Sequence, residues 1–101
     1  MKFRNLEAVR YIIKEATGLD LTYAYDDLVF PEHMAFLIQF NDNNESSLFC
    51  HFHNDCNPND KKQLFAELAK VAAKEKISLE EKGSFGLEQK GEEVEIHFSI
   101  Q

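Results

Sequence analysis

The residue types that do chemistry are concentrated in one stretch, Cys50-His51-Phe52-His53-Asn54-Asp55-Cys56, which holds both cysteines and two of the four histidines. Imidazole nitrogen and thiolate sulfur are ligands that zinc and other borderline divalent metals accept. His51 and His53 stand two apart, so in a strand their rings project from one face. A chain that bends after His53 returns Cys56 toward them. A divalent metal such as zinc held by His51, His53 and Cys56 is therefore one expectation. The spacing matches none of the usual paired-cysteine zinc patterns. The competing expectation is that no cofactor is bound, the histidines are polar residues of a sheet face, Cys50 is a core thiol and Cys56 a loop cysteine. Nucleophilic catalysis by Cys50 with His51 is disfavoured, because adjacent strand side chains point to opposite faces and a buried thiol is inert.

The element that positions this stretch is a β-hairpin over residues 34–53. Met34-Ala-Phe-Leu-Ile-Gln-Phe40 and Ser47-Leu-Phe-Cys-His-Phe-His53 are rich in aromatic and long apolar side chains, and the connection is Asn, Asp, Glu and Ser. Met34, Phe36, Ile38 and Phe40 share one face, with Ala35, Leu37 and Gln39 on the other. A strand that is apolar on both faces belongs in the middle of a sheet. In the second strand Leu48, Cys50 and Phe52 face one way, toward the core, and Phe49, His51 and His53 face a wetter surface.

Around the hairpin the periodicity changes twice. Phe3, Leu6, Val9, Ile13 and Ala16 recur at helical spacing, and Gly18 stands where a left-handed cap is needed. Leu19 to Asp26 alternates as a strand, and Leu28-Val29-Phe30 is a short apolar piece ended by Pro31. Asn57-Pro58-Asn59-Asp60 is a helix start, and Leu64, Phe65, Leu68, Val71 and Ala72 continue it as an apolar stripe to about Lys74. The remainder reads as strands, with turns at Lys82-Gly83-Ser84 and Lys90-Gly91. In the last strand Val94, Ile96, Phe98 and Ile100 form the core-facing side; Glu93, Glu95, His97 and Ser99 form the other. The expected class is α+β, one domain over residues 1–101. Two helices would pack on one face of an antiparallel sheet in the order helix, strands, helix, strands.

Charge narrows the function. The chain of 101 residues carries a formal net charge of -7, and no Lys or Arg occurs between Glu15 and Asp60. Nucleic acid as a partner needs a basic footprint, so it is not expected. No apolar run is long enough to span a bilayer, and the opening Met-Lys-Phe-Arg is not a signal peptide, so a cytoplasmic setting without membrane contact is expected. The paired acids Asp26-Asp27, Glu80-Glu81 and Glu92-Glu93 diverge in extended chain and read as solvated charges.

The expected function is a small acidic binding or adaptor module without catalytic activity. It would hold a protein partner, or a second copy of itself, on the sheet face carrying Leu37, Phe49, His51, His53 and His97. The alternative is a metal-binding protein or metal-dependent enzyme at His51, His53 and Cys56. The order helix, three strands, helix, further strands in a small acidic chain is also similar to that of bacterial type III secretion chaperones. That resemblance covers layout and charge, with no residue motif, and implies an unfolded protein partner. Because Cys50 shares its face with Leu48 and Phe52, thiol labelling of the native protein is expected to modify Cys56 quickly and Cys50 slowly. Fast labelling of Cys50 would mean that the hairpin is inside out.

Overall fold

The computed structural model describes residues 5–44 and 46–100, without the side chains of Met34 and Ile100. Phe3, at the expected start of the first helix, and Glu45, in the hairpin turn, lie outside the described residues.

Local signals set both helices. Helix α1 spans Leu6–Thr17. The Asn5 side chain accepts the Ala8 amide at 3.0 Å, and Gly18, at φ 77°, donates its own amide to the Lys14 carbonyl at 2.8 Å. Helix α2 spans Pro58–Lys74. The Asn57 side chain accepts the Asn59 amide at 2.8 Å, and Pro58 fills the first helical position, where no amide is needed.

Six strands follow one another across a single sheet: β1 Leu21–Tyr25, β2 Leu28–Pro31, β3 Phe36–Phe40, β4 Ser47–His53, β5 Ser78–Lys90 and β6 Glu93–Ile100. The class is α+β, in the expected element order. The sheet is mixed, because β4 and β5 pair in parallel while the other neighbours are antiparallel. Parallel neighbours need a long crossover, and α2 is that crossover.

Both helices lie on one face of the sheet. Val9, Ile12 and Ile13 of α1 and Leu68, Val71 and Ala72 of α2 pack on Val29, Phe36, Ile38, Leu48, Cys50 and Phe52. Cys50 and Phe36 have no exposure at all, so the Leu48 side of the hairpin is the core side. Lys61, in the first turn of α2, ties that helix to β5 through a 2.7 Å ion pair with Glu81.

Three features depart from expectation. Lys82-Gly83-Ser84 is not a turn: β5 runs straight through it, with a register shift against β4 between Cys50 and His51. Glycine serves a close approach a little further on. A Cβ built on Gly86 would meet Asn54 Nδ2 at 2.7 Å. The histidine side is not open throughout, since Leu37 is fully buried there with Phe30 and Phe85. Finally, β6 keeps its alternation, but Val94 and Phe98 are 56% and 43% exposed. The hairpin of β5 and β6 continues past the end of β4, whose last partner is Phe85 opposite His53, and the helices cover the other face.

Phe52→Ala is therefore expected to lower unfolding free energy by about 3–5 kcal/mol. Phe98→Ala, losing a half-exposed ring, should cost about 1–2 kcal/mol. Urea unfolding of both variants checks this, and equal losses would contradict the different burial of the two rings.

Candidate functional site

The helix-free face carries a polar line at its centre. Leu37 pairs with His51, and Gln39 with Phe49, across β3 and β4. Gln39 Nε2 donates to Asp27 Oδ2 at 2.8 Å, and Gln39 Oε1 lies 2.9 Å from His51 Nε2. These contacts settle the histidine tautomer. A carboxylate only accepts, so the Gln39 amide nitrogen faces Asp27 and its oxygen faces His51. His51 Nε2 must then carry the proton, which leaves Nδ1 as an acceptor. Nδ1 is buried and has no hydrogen-bond partner among the described residues.

Phe98 closes over this ring from β6, edge to face, with centroids 4.8 Å apart. Gln39, His51, Lys82 and Phe98 line a recess of about 210 Å³. Lys82 also sits over the Phe49 ring, 4.1 Å from its centroid. Burial, and next the positive charge of Lys82, hold the His51 pKa below its ordinary range, with Asp27 opposing. The imidazole at the centre of this face is neutral.

His53 shares the face of His51 but belongs to a different neighbourhood. Its ring packs edge-on against Phe85 at 5.1 Å, and its Nδ1 accepts the Asp55 amide at 3.0 Å. The chain does bend after His53, and the Cys56 amide bonds back to the His53 carbonyl at 2.9 Å. His33, Ala35, His53, Asp55 and Cys56 line one recess of about 240 Å³. It adjoins a cleft of about 620 Å³ where Ala16, Thr17 and Leu19 face Asn57, Asp60 and Leu64. Burial, and next Asp60, push the Cys56 thiol up, with Lys61 opposing; burial and then Glu81 push Cys50 far higher. Both thiols are free and held in the protonated form.

The expected ligand trio is thus divided. His53 and Cys56 share a recess, while His51 lies beneath Phe98 and is engaged by Gln39. Among the described residues, the group whose ligand atoms all lie within 4.8 Å of one another is Glu88, Glu95 and His97. His97 does not share the face of His51 and His53. Phe85 pairs with Phe98 and Gly86 with His97, so Phe98 takes the position over His51 and His97 points to the opposite side. There its Nε2 lies 3.0 Å from Glu88 and 3.4 Å from Glu95, with Lys90 3.3 Å from Glu95.

Of the expected binding surface, Leu37 and His51 are buried, Phe49 and His53 half-buried, and His97 exposed on the other face. The exposed apolar groups of the helix-free face lie instead at its margins. Tyr23 and Tyr25, 57% and 65% exposed, stack on each other on β1, and Leu87, Val94 and Phe98 stand on the β5–β6 hairpin. A register shift between Leu21 and Tyr23 turns the tyrosines to this face, while Leu21 packs with the helix-side core. The tyrosines were legible as an alternating pair; the shift that re-aims them was not. Comparison of the chain with protein-family models, curated proteins and solved structures finds no significant match. Among the described residues, no helix is long and apolar enough to cross a membrane.

The neutral, buried state of His51 has a consequence for stability. Its folded pKa lies below the unfolded value, near 6.5. Its contribution is therefore fully present above about pH 6.5. Below that, the unfolded chain takes up a proton that the folded state resists, and stability is lost. The stability of wild type relative to His51→Gln should fall as pH falls from about 7.5 to 5, by at most about 1.4 kcal/mol per pH unit. Urea titrations across that range test it, and a difference independent of pH would rule out a depressed His51 pKa.

Proposed function

We propose that this protein is a small acidic binding module without catalytic activity, working through the sheet face that the helices leave uncovered. The observation that carries the reading is the placement of exposed apolar side chains: Tyr23 and Tyr25 at one margin of that face, Leu87, Val94 and Phe98 at the other. Large apolar groups gathered on one face mark an interface more often than chance exposure does. Phe30, Leu37 and Phe85 form a buried floor between the margins, and Gln39, His51 and Lys82 offer polar contacts there.

The partner that fits is a protein segment with alternating apolar and basic side chains. Apolar groups would sit on the two margins, and the net charge of -7 favours a positive ligand. A segment held in extended form also suits a secretion-chaperone-like role toward an unfolded protein, which shares this surface with the adaptor reading. Metal binding at His51, His53 and Cys56 is favoured less, because His51 is engaged by Gln39 and covered by Phe98.

A synthetic peptide alternating Leu and Lys should bind the wild type, and its Leu/Glu counterpart should not. Tyr23→Ser with Tyr25→Ser should weaken the Leu/Lys peptide about tenfold, as loss of two apolar contacts does. Fluorescence anisotropy reads both. Equal binding of the acidic peptide, or binding indifferent to the tyrosine substitutions, would overturn the proposal.

A further inference from the structure

The edge of β6 is long and regular. It is the terminal strand of the sheet, and its pairing with β5 runs from Lys90 opposite Glu93 to Gly83 opposite Ile100 without a register shift. The other edge, β1, has five residues and a shift between Leu21 and Tyr23, irregularities that protect an edge from pairing. No proline interrupts β6.

The turn fixes which amides of β6 are free for pairing. Lys90 and Glu93 flank the two-residue connection Gly91-Glu92, with Gly91 at φ 63° and Glu92 outside the positive-φ residues, the signature of a type II′ hairpin. The flanking residues of such a turn form a hydrogen-bonded pair, and bonded and non-bonded pairs then alternate. Glu93, Glu95 and His97 therefore direct their backbone groups at β5. Val94, Ile96 and Phe98 direct theirs outward.

We propose that this edge pairs with β6 of a second copy, antiparallel about a two-fold axis at Ile96, setting Val94 against the partner's Phe98 and Glu95 against the partner's His97. The register follows from charge. A centre at Glu95 sets that carboxylate against its own copy, and a centre at Val94 sets Glu93 against Glu95. A centre at His97 gives a ladder of the same length, but it faces imidazole with imidazole and leaves Glu95 opposite Ser99, without a histidine to meet. Centred on Ile96, the strand opposes Glu93 with Ser99 and Glu95 with His97, so no like charges meet. Acidic side chains that repel an arbitrary strand become complementary in this one arrangement. Glu88 and Glu95 already flank His97 within one copy, and Lys90 flanks Glu95. The two-fold keeps both copies the same way up, so Val94 and Phe98, half-exposed in one chain, cover each other across the junction.

The inference deepens the reading as a binding module by naming a second copy as the occupant of this edge. Val94 and Phe98 serve both readings, but the dimer is tested at Glu95 and His97, on the opposite face, and the peptide at Tyr23 and Tyr25, on the far margin, so the two can fail separately. Sedimentation equilibrium of the full chain over a wide concentration range should show a monomer–dimer equilibrium. Glu95→Lys and His97→Glu should each weaken the dimer about tenfold, since the first removes the carboxylate that accepts from the imidazole and the second opposes carboxylates, each at two symmetry-related places. The double variant restores opposite charges and should recover wild-type association. Circular dichroism confirms that each variant is folded. Amide exchange should slow at Val94, Ile96 and Phe98 as concentration rises. A wild type that stays monomeric, a dimer unchanged by either single substitution, a folded double variant that fails to recover, or protection on β1 instead would each overturn the proposal. A monomeric Glu95→Lys that still binds the Leu/Lys peptide supports it and leaves the module reading intact; a monomeric Glu95→Lys that binds no peptide supports it and defeats only the module reading.

Discussion

Two helices on one side of a six-stranded sheet leave a whole face to cover itself, and much of this molecule answers that shortage. At the centre, Phe30, Leu37 and Phe85 bury one another, and Phe98 reaches across to lie on His51. A histidine in that position loses water, and the cost of leaving its ring nitrogens unpaired is partly offset by Gln39, itself oriented by Asp27. Burial then keeps the ring neutral, so the face has a polar but uncharged middle. The exposed apolar groups are displaced to the margins, where no neighbouring strand remains to shield them.

The same shortage explains why the metal-like pattern in the sequence does not become one site. His51 and His53 project from the same face, as their spacing requires. One strand step is enough to move from the centre, under Phe98, to the end of β4, where the chain turns and His53 meets Asp55 and Phe85. Cys56 returns to His53 through the turn, but His51 is already held by β3 and β6. Spacing along a strand specifies direction, whereas ligation needs shared surroundings, and those are set by strands distant in sequence.

That distinction also separates what was legible in the sequence from what was not. Caps are local: Gly18 and Asn57-Pro58 place the ends of both helices because the groups they satisfy lie within four residues. Alternation is local too, so the core side of β4 was readable, and so was which residues of β6 share a side; that the apolar side of β6 turns away from the helices was not. The parallel pairing of β4 with β5 was not, since it depends on where α2 returns the chain. Nor was the continuity of β5 through Gly83, where glycine accompanies a register shift and mimics a turn signal. The sequence sets His97 beside His51 because both stand on the polar sides of their strands. Register places Phe98 there instead, and a one-residue difference in register exchanges the two faces.

Edges follow from the same logic. Among the described residues, sequential strand order with a single helical crossover leaves β1 and β6 unpaired on their outer sides. The two are protected differently. At β1 the strand is short and its register shifts, so the ladder is broken before a neighbour can extend it. At β6 the backbone is regular, and only side chains stand guard: Glu93 and Glu95 along one side, with Lys90 partly neutralising the second and His97 beside it. Backbone irregularity repels every strand alike, but charge repels only strands of the wrong pattern. An edge guarded by charge alone is selective, and its selectivity is written in the order of its residues. Acids precede the histidine along β6, so an antiparallel copy brings the unlike ends together.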